Sequence, residues 1–470
     1  MAAKIDYFGA MKQRIHLYAI PYLVLLGLGF LLTLPFSGRA QVPAVHRDPG
    51  LASMVAQVST DSLQQYLEDL VSFGTRHTLS PDEEGRGIEA ARQYVLSRFR
   101  SFEAGSGGRL RASIDYFQVE PNGRRVDREV RMGNVMATLQ GTDPDDDRVF
   151  LVSGHIDSRV SDIMNATDDA PGANDDGSGV VALIEMVRIL SQQPFPATIV
   201  FVAVSGEEQG LIGAAHLARR ATEENWNLVA MINNDMIGNS ASSGTNLRDN
   251  TRLRVFSEGI PLAETEQMAA LRRSTNAEND SKSRQLARYI KEVGERYVDQ
   301  LEIKLIYRND RFLRGGDHTP FSREGFTAVR LCEMNENYFQ QHQDLRMEGG
   351  QQYGDLIEHI DYEYLRKNTA VNLAVLASLA SAPGVPQEVG VDISGLSNAT
   401  RLRWKSPENG TARGYYVLMR ETSDSMWKRK FYTEALEMEL PYSKDNYFFA
   451  VQAVGANGAE SLPVFPVPVR

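Results

Sequence analysis

His155 and Asp157 stand two residues apart just beyond an apolar run, Val149 to Val152, and a long loop then leads to Asn174-Asp175-Asp176-Gly177-Ser178-Gly179. A neutral imidazole nitrogen among hard carboxylate oxygens suits zinc or a similar divalent ion. Asp157 is spaced to hold the far nitrogen of His155 and so to fix the metal-binding tautomer. The Asp-Asp-Gly-Ser-Gly string is weak alone, because such strings are more often turns or helix caps. Glu207, Glu208 and Asp235 add three more carboxylates further along.

The elements that must position these groups can be read from hydrophobic patterning. Val149 to Val152 reads as a buried strand and Val180 to Leu190 as a helix. Ala197 to Val204 is a second buried strand, ending in Ser205-Gly206-Glu207-Glu208. Leu228 to Ile232 is a third, followed by Asn233-Asn234-Asp235-Met236-Ile237-Gly238. Phe326 to Leu331 is a fourth, preceded by Asp317-His318-Thr319-Pro320-Phe321. Strands alternating with helices predict an α/β fold with a mostly parallel central sheet flanked by helices. His155, Glu207, Glu208 and Asp235 each fall just past the carboxyl end of a buried strand, where open α/β sheets bind their ligands. Such a coincidence across several strands predicts a metal site.

Adjacent glutamates after a strand can divide labour, one facing a metal and its neighbour acting as general base. A carboxylate bridging two cations gives the two-metal clamp that activates a shared water and polarises a carbonyl, and a glutamate can then move the proton to a leaving amine. There is no Gly-x-Ser-x-Gly elbow, and Cys332 falls inside a predicted strand, so a covalent nucleophile is poorly supported.

The segments Gly154-His155-Ile156-Asp157, Asn174 to Gly179, Gly206-Glu207-Glu208-Gln209-Gly210-Leu211, Asn234 to Gly238 and Asp317 to Phe321 together resemble metallopeptidase family 28. That family holds secreted zinc aminopeptidases, glutamate carboxypeptidases and glutaminyl cyclases, and the resemblance covers about residues 61–382. It implies two zinc ions, with manganese or cobalt as alternatives. By similarity His155 and Asp235 bind one ion, Glu208 and His342 the other, and Asp175 bridges. Glu207 is the implied base, Asp157 orients His155, and Asp176 supports the bridging loop. The sequence departs from the family at the last ligand: Gln341 stands before His342 where a tyrosine is usual, leaving Tyr338 as a weak candidate hydroxyl. His318 competes as ligand but reads more simply as a helix start, while His77, His216 and His359 read as structural. Arg311, Arg314 and Arg330 could recognise a substrate carboxylate, although lone arginines are more often surface charges.

The rest of the chain bounds this reading. A net charge of −11 over 470 residues, without a basic run, gives no nucleic-acid footprint. Cys332 is the single cysteine, so no internal disulfide forms. Met11-Lys12-Gln13-Arg14, the apolar run Leu17 to Phe36 and Ser37-Gly38-Arg39-Ala40 form a signal-peptide pattern over residues 1–40, with Met11 an alternative start and a retained membrane anchor the competing reading. Either way the bulk of the chain is expected outside the cytoplasm. Residues 41–60 are expected as a linker and Asp61 as a helix N-cap. Ile114 to Val119 and Arg131 to Leu139 read as exposed strands, and Asn239 to Gly315 as a polar insert with a helix near Ser281 to Glu302. Past Ala382, short alternating strands resemble a fibronectin type III sandwich over 383–470, with Trp404 and Tyr447 as core aromatics. The expected function is a secreted exopeptidase acting on peptides, an aminopeptidase first, with a carboxypeptidase or dipeptidase next. A glutaminyl cyclase or a non-catalytic surface-binding protein is the more distant alternative.

Overall fold

The computed structural model describes residues 47–470, so the leader-like segment and the first residues of the expected linker lie outside the described residues. The rest of that linker is not a linker. Residues Pro49–Val55 form helix α1, whose Asp48 cap accepts the Leu51 N–H at 2.7 Å, and Leu51 and Val55 enter the core. Helix α2 (Thr60–Val71) follows and buries Leu63, Tyr66, Leu67 and Leu70 on one face, as their three- and four-residue spacing requires. Its cap is Ser59 rather than Asp61, which lies inside the first turn; the Ser59 hydroxyl accepts the Ser62 N–H at 3.2 Å. Helix α3 (Gly87–Ser101) completes the N-terminal helical segment.

One sheet then organises the catalytic-domain candidate. Its strands are β1 (Leu110–Val119), β2 (Val130–Leu139), β3 (Arg148–His155), β4 (Thr198–Val204), β5 (Asn227–Asn234), β6 (Arg252–Ser257), β7 (Glu302–Ile306) and β8 (Ala328–Glu333). They lie in the order β1-β2-β4-β3-β5-β8-β6-β7. The middle four, β4, β3, β5 and β8, run parallel, whereas β1 on β2, β2 on β4 and β6 on β8 are antiparallel. Strand β2 is buried, unlike the exposed strand its alternation suggests, because it sits inside the sheet with β1 outside it.

Helices cover both faces of the parallel centre, which is why its strands read as unbroken apolar runs. Along β4, Ile199, Phe201 and Ala203 join the larger core under α4 (Ser178–Leu190) and the long C-terminal helix of the domain. Val200, Val202 and Val204 point the other way, to Ala214, Leu217 and Ala218 of α5 (Ile212–Glu223). The polar insert contributes structure of its own: strands β6 and β7 extend the sheet, and helix α6 (Glu266–Thr275) buries no residue. Helix α7 (Lys282–Tyr297) packs Leu286, Ile290 and Val293 into the core. Helices α8 (His318–Arg323) and α9 (Tyr362–Ser381) finish the domain, with a small hairpin, β9 (Arg346–Glu348) and β10 (Gln351–Tyr353), between them. Among the described residues no helix is long and apolar enough to cross a membrane.

The C-terminal region is a two-sheet β structure. Strands β11 (Gln387–Asp392), β12 (Thr400–Lys405), β15 (Glu437–Leu440) and β17 (Val467–Val469) form one sheet; β13 (Gly414–Glu421), β14 (Arg429–Thr433) and β16 (Tyr447–Val454) form the other. Trp404 is buried as expected, but its aromatic partner is Tyr415, at 5.4 Å between ring centroids. Tyr447 is only half-buried because it opens β16 at the sandwich rim. The sandwich is fixed to α7 through charge: the buried Asp280 carboxylate meets Arg288 at 2.9 Å and Arg420 at 2.6 Å. The Tyr289 hydroxyl donates to the Glu460 carbonyl at 2.9 Å.

Candidate metal centre

The parallel strands deliver their C-terminal ends to one edge, and the candidate residues converge there. His155 ends β3, Glu207 and Glu208 follow β4 by a tight turn, and Asp235 follows β5 directly. Asp175 arrives on the loop before α4, and His342 on the segment after β8. Three overlapping sets have ligand atoms within 4.8 Å of one another: His155 with Asp175 and Asp235, Asp175 with Glu208 and His342, and His155 with Glu207 and Glu208. Asp175 links the first two. Its Oδ1 lies 3.1 Å from His155 Nε2 and its Oδ2 lies 3.0 Å from His342 Nε2. Glu208 Oε1 lies 2.8 Å from the same nitrogen of His342.

These residues fit a metal on their own chemistry. His155 is buried, and its Nε2 makes no hydrogen bond among the described residues despite the acids around it; a buried polar atom of that kind calls for a partner. The acids are also mutually repulsive. Burial and the charges of Glu208, Asp235 and Asp317 hold the Glu207 carboxyl well above its usual range. Burial likewise pushes Asp317 up to about 8, and neither of its oxygens has a hydrogen-bond partner among the described residues. For Asp175 burial acts in the same sense, but the adjacent His155 and His342 imidazoles outweigh it and hold the carboxyl well below its usual range. Burial opposes charge on His342, yet Glu208 and Asp175 outweigh it and push the imidazole up to about 9. Bound cations would supply the positive charge that protonated histidines otherwise provide.

Asp157 takes a different position from the one its spacing suggests. The Nδ1 of His155 is held by the Asp157 backbone carbonyl at 3.0 Å, while the nearest carboxylate oxygen is 3.9 Å away. The carboxylate instead accepts the N–H groups of Gly206 at 2.9 Å, Glu207 at 3.2 Å and Glu208 at 3.0 Å. It therefore shapes the turn that presents both glutamates. Asp176 performs a similar task, accepting N–H groups from His155 at 2.9 Å, Gly179 at 3.0 Å and Met236 at 3.1 Å, which ties β3, α4 and the end of β5 together. Gly179 allows this closeness, since a Cβ there would collide with the Asp176 carboxylate.

Four positioning residues escape the local sequence reading. Asp355 accepts the Asn174 N–H at 3.0 Å and the Asp175 N–H at 2.7 Å, fixing the loop from 180 residues away. Arg330 is fully buried with Nη2 2.7 Å from Asp235 Oδ1, so it is an internal counter-charge and neither a surface arginine nor a substrate contact. A charged residue inside the buried run of β8 was its signal. Gln341 donates to Asp175 Oδ2 at 3.0 Å, and Arg159 donates to Glu208 Oε2 at 2.9 Å. Tyr338 is 57% exposed and does not bound the cleft. His318 is buried at the start of α8 with Nε2 2.8 Å from the Asn309 carbonyl, outside the three ligand sets. His77 lies against backbone and Gln209, and His216 stacks on Phe117.

The model of "Peptidase family M28" matches residues 134–376, a segment that contains every one of the converging side chains. The chain belongs to peptidase family M28. Among curated relatives, a "Probable zinc metalloprotease" of Leptosphaeria maculans is 42% identical, with 89% of this chain and 97% of the relative covered. One of the same description from Pyricularia oryzae is also 42% identical, covering 91% and 86%. Among solved structures, the LapA aminopeptidase of Legionella pneumophila superposes with a TM-score of 0.50 at 17% identity, covering 73% of this chain and 78% of that one. That likeness is one of fold. The M28 match ends within α9, so the C-terminal sandwich lies beyond it.

Proposed function

We propose that this chain is a zinc-dependent exopeptidase with a two-metal centre, in the first instance an aminopeptidase. The observation that carries the reading is the pair of Asp175 contacts, one oxygen to each histidine at 3.1 and 3.0 Å. One carboxylate thereby serves two ligand sets. His155 and Asp235 would hold one ion and Glu208 and His342 the other; manganese or cobalt would suit the same atoms. The names of the curated relatives support zinc. When bound, two such ions lower the pKa of a shared water, polarise the scissile carbonyl and stabilise the charge that develops on its oxygen. Glu207, which opens onto the cleft, would take the water's proton and pass it to the leaving amine. The Asp157 carboxylate holds the Glu207–Glu208 turn in place, and Arg330 fixes the free rotation of Asp235.

A carboxypeptidase reading has one observation in its favour, the presence of Arg125, Arg159, Arg311 and Arg314 on the cleft wall. The leader pattern over residues 1–40 supports export, and the two-sheet architecture of the C-terminal region supports a fibronectin type III relationship, with β17 departing from that order by pairing with β11. The deciding experiment uses matched peptides with free or blocked termini, incubated with the zinc-loaded chain with and without chelator and read by mass spectrometry. Chelator-sensitive release of single residues from free N-termini is expected. Cleavage that ignores N-terminal blocking but needs a free C-terminus would transfer the chain to the carboxypeptidase branch, and no cleavage at all would remove the exopeptidase reading.

A further inference from the structure

Four Asn-x-Ser/Thr triplets stand in the chain: Asn165-Ala166-Thr167, Asn279-Asp280-Ser281, Asn398-Ala399-Thr400 and Asn409-Gly410-Thr411. Such a triplet is the acceptor for an N-linked oligosaccharide on an exported chain. A three-residue match also recurs by chance, so the fold has to decide which asparagine can carry a sugar. The modification is bulky and solubilising, and it needs a side chain that faces solvent and holds nothing together.

Asn409 does not meet that requirement. Its Nδ2 donates to the Asp145 carbonyl at 3.3 Å and to Asp147 Oδ1 at 3.2 Å, and its own carbonyl accepts the Gly384 N–H at 2.8 Å. It pins the sandwich to the segment before β3, and a sugar on that nitrogen would be driven into the junction. Asn165 turns its amide onto Asp168 at 2.8 Å, and Asn279 precedes the buried Asp280 that receives Arg288 and Arg420.

Asn398 meets it. It lies in the turn between β11 and β12, where residues 393–398 are all exposed. Strand β11 leaves the linker at Gln387 and β12 returns antiparallel to it. Their shared turn therefore stands a strand's length, roughly 17–20 Å, from the junction. The Thr400 hydroxyl is buried and donates to the Tyr442 carbonyl at 2.7 Å, so folding leaves the asparagine outside and draws the hydroxyl inside. Transfer of a sugar must then precede folding of the sandwich. The same turn carries Ile393 at 40% exposure and Leu396 fully in solvent. Two exposed aliphatic side chains in one turn favour self-association, and an oligosaccharide on Asn398 would cover them.

We propose that Asn398 is an N-glycosylation site whose oligosaccharide shields the Ile393–Leu396 turn. The inference rests on the export reading above. The donor is an oligosaccharide carried on a lipid diphosphate, supplied with its transferase by the secretory compartment. Asn398 Nδ2 bonds to the anomeric carbon of the first sugar while the bond from that carbon to the diphosphate oxygen breaks. The lipid diphosphate leaves with the electron pair, and the amide gives up one proton to a base of the transferase.

The full chain, with its own residues 1–40, is secreted from a eukaryotic host. Enzymatic release of N-linked sugars leaves aspartate in place of each modified asparagine, and peptide mapping by mass spectrometry reads each position. Conversion is expected at Asn398 in most molecules, and Asn409 should remain asparagine. Asn398→Gln should lose the corresponding mass, whereas Thr400→Ser, which keeps the hydroxyl, should retain it. Peptide cleavage by Asn398→Gln should stay within about twofold of the parent rate. Its aggregation on concentration should rise, and adding Leu396→Ser should reverse that rise. An unmodified Asn398 in the secreted chain overturns the site, a sugar on Asn409 overturns the selection by the fold, and aggregation indifferent to Asn398→Gln overturns the shielding role. If the chain is not secreted, the export reading fails, and a grafted signal peptide then carries residues 41–470 through the same compartment. An unmodified Asn398 in that product refutes the site by itself.

Discussion

The carboxylate of Asp157 accepts the backbone N–H of Glu208 at 3.0 Å, while the carbonyl of the same residue lies 3.0 Å from Nδ1 of His155. One residue thus sets the ring orientation on β3 through its backbone and the glutamate turn after β4 through its side chain. In Asp157→Asn an NH2 group replaces one of the two accepting oxygens and would face one or two of the three backbone donors. Zinc affinity and kcat/KM should both fall, by about 10- to 100-fold each, with secondary structure retained by circular dichroism. Metal content after dialysis against a graded chelator series checks the first effect; unchanged affinity would show that the turn holds without this carboxylate.

Glu207 and Glu208 are neighbours with separate expected outcomes. Glu207→Gln keeps shape and removes the proton acceptor, so kcat should drop by about 10²- to 10⁴-fold with zinc content unchanged. Glu208→Gln should instead lower zinc content. Paired kinetics and metal analysis distinguish the two, and equal metal loss in both variants would contradict the division.

Arg330 lies between Asp235 at 2.7 Å and Asp310 at 3.2 Å, and all three side chains are buried. Arg330→Met would leave the buried Asp235 carboxylate without its paired cation and Asp310 with Arg311 alone, a loss of about 3–5 kcal/mol. Urea unfolding of the metal-free chain measures it, and a change below about 1 kcal/mol would contradict the buried-pair account.

His318 gives the fold an acid-side weakness. Burial, with help from Arg330 and Arg311 against the attraction of Asp310, lowers its imidazole to about 4. Its neutral form is the folded one, so unfolded chains take up a proton first as pH falls. Stability is therefore fully present above the unfolded pKa of about 6.5 and is lost as pH drops towards 4, by on the order of 3 kcal/mol. The slope of unfolding free energy between pH 6.5 and 4 should shrink in His318→Gln, whatever the absolute stability of that variant.

Asp280 joins α7 to the β-sandwich through Arg288 and Arg420, with all three side chains at 2% exposure or less. Asp280→Ala strands two guanidinium groups in the interface and should cost about 3–5 kcal/mol. A chain ending at Ala382 should likewise melt at lower temperature than the full chain. Calorimetry checks both; an unchanged melting temperature of the peptidase region would make the sandwich a passenger.

The sequence by itself determined the strands and the groups at their ends, because both signals are local. A buried parallel strand must be a short apolar run, and the residue after it must stand at the sheet's ligand-binding edge. His155, Glu207, Glu208 and Asp235 were legible on that ground, and the family motifs added Asp175 and His342. The Arg311–Arg314 segment was visible as charge but not as architecture.

What the tertiary structure alone decided is which distant groups hold those residues in place. Asp355 on Asp175, Arg330 on Asp235 and Gln341 on Asp175 depend on chain crossings that no spacing encodes. The same holds for the Asp157 carboxylate, where two residues of separation from His155 pointed to the ring, yet the end of β4 came closer. Hydrogen-bond partners are fixed by distances of a few tenths of an ångström between packed elements. Patterning fixes only which face an element buries, so it names the participants of a site before it can assign their partners.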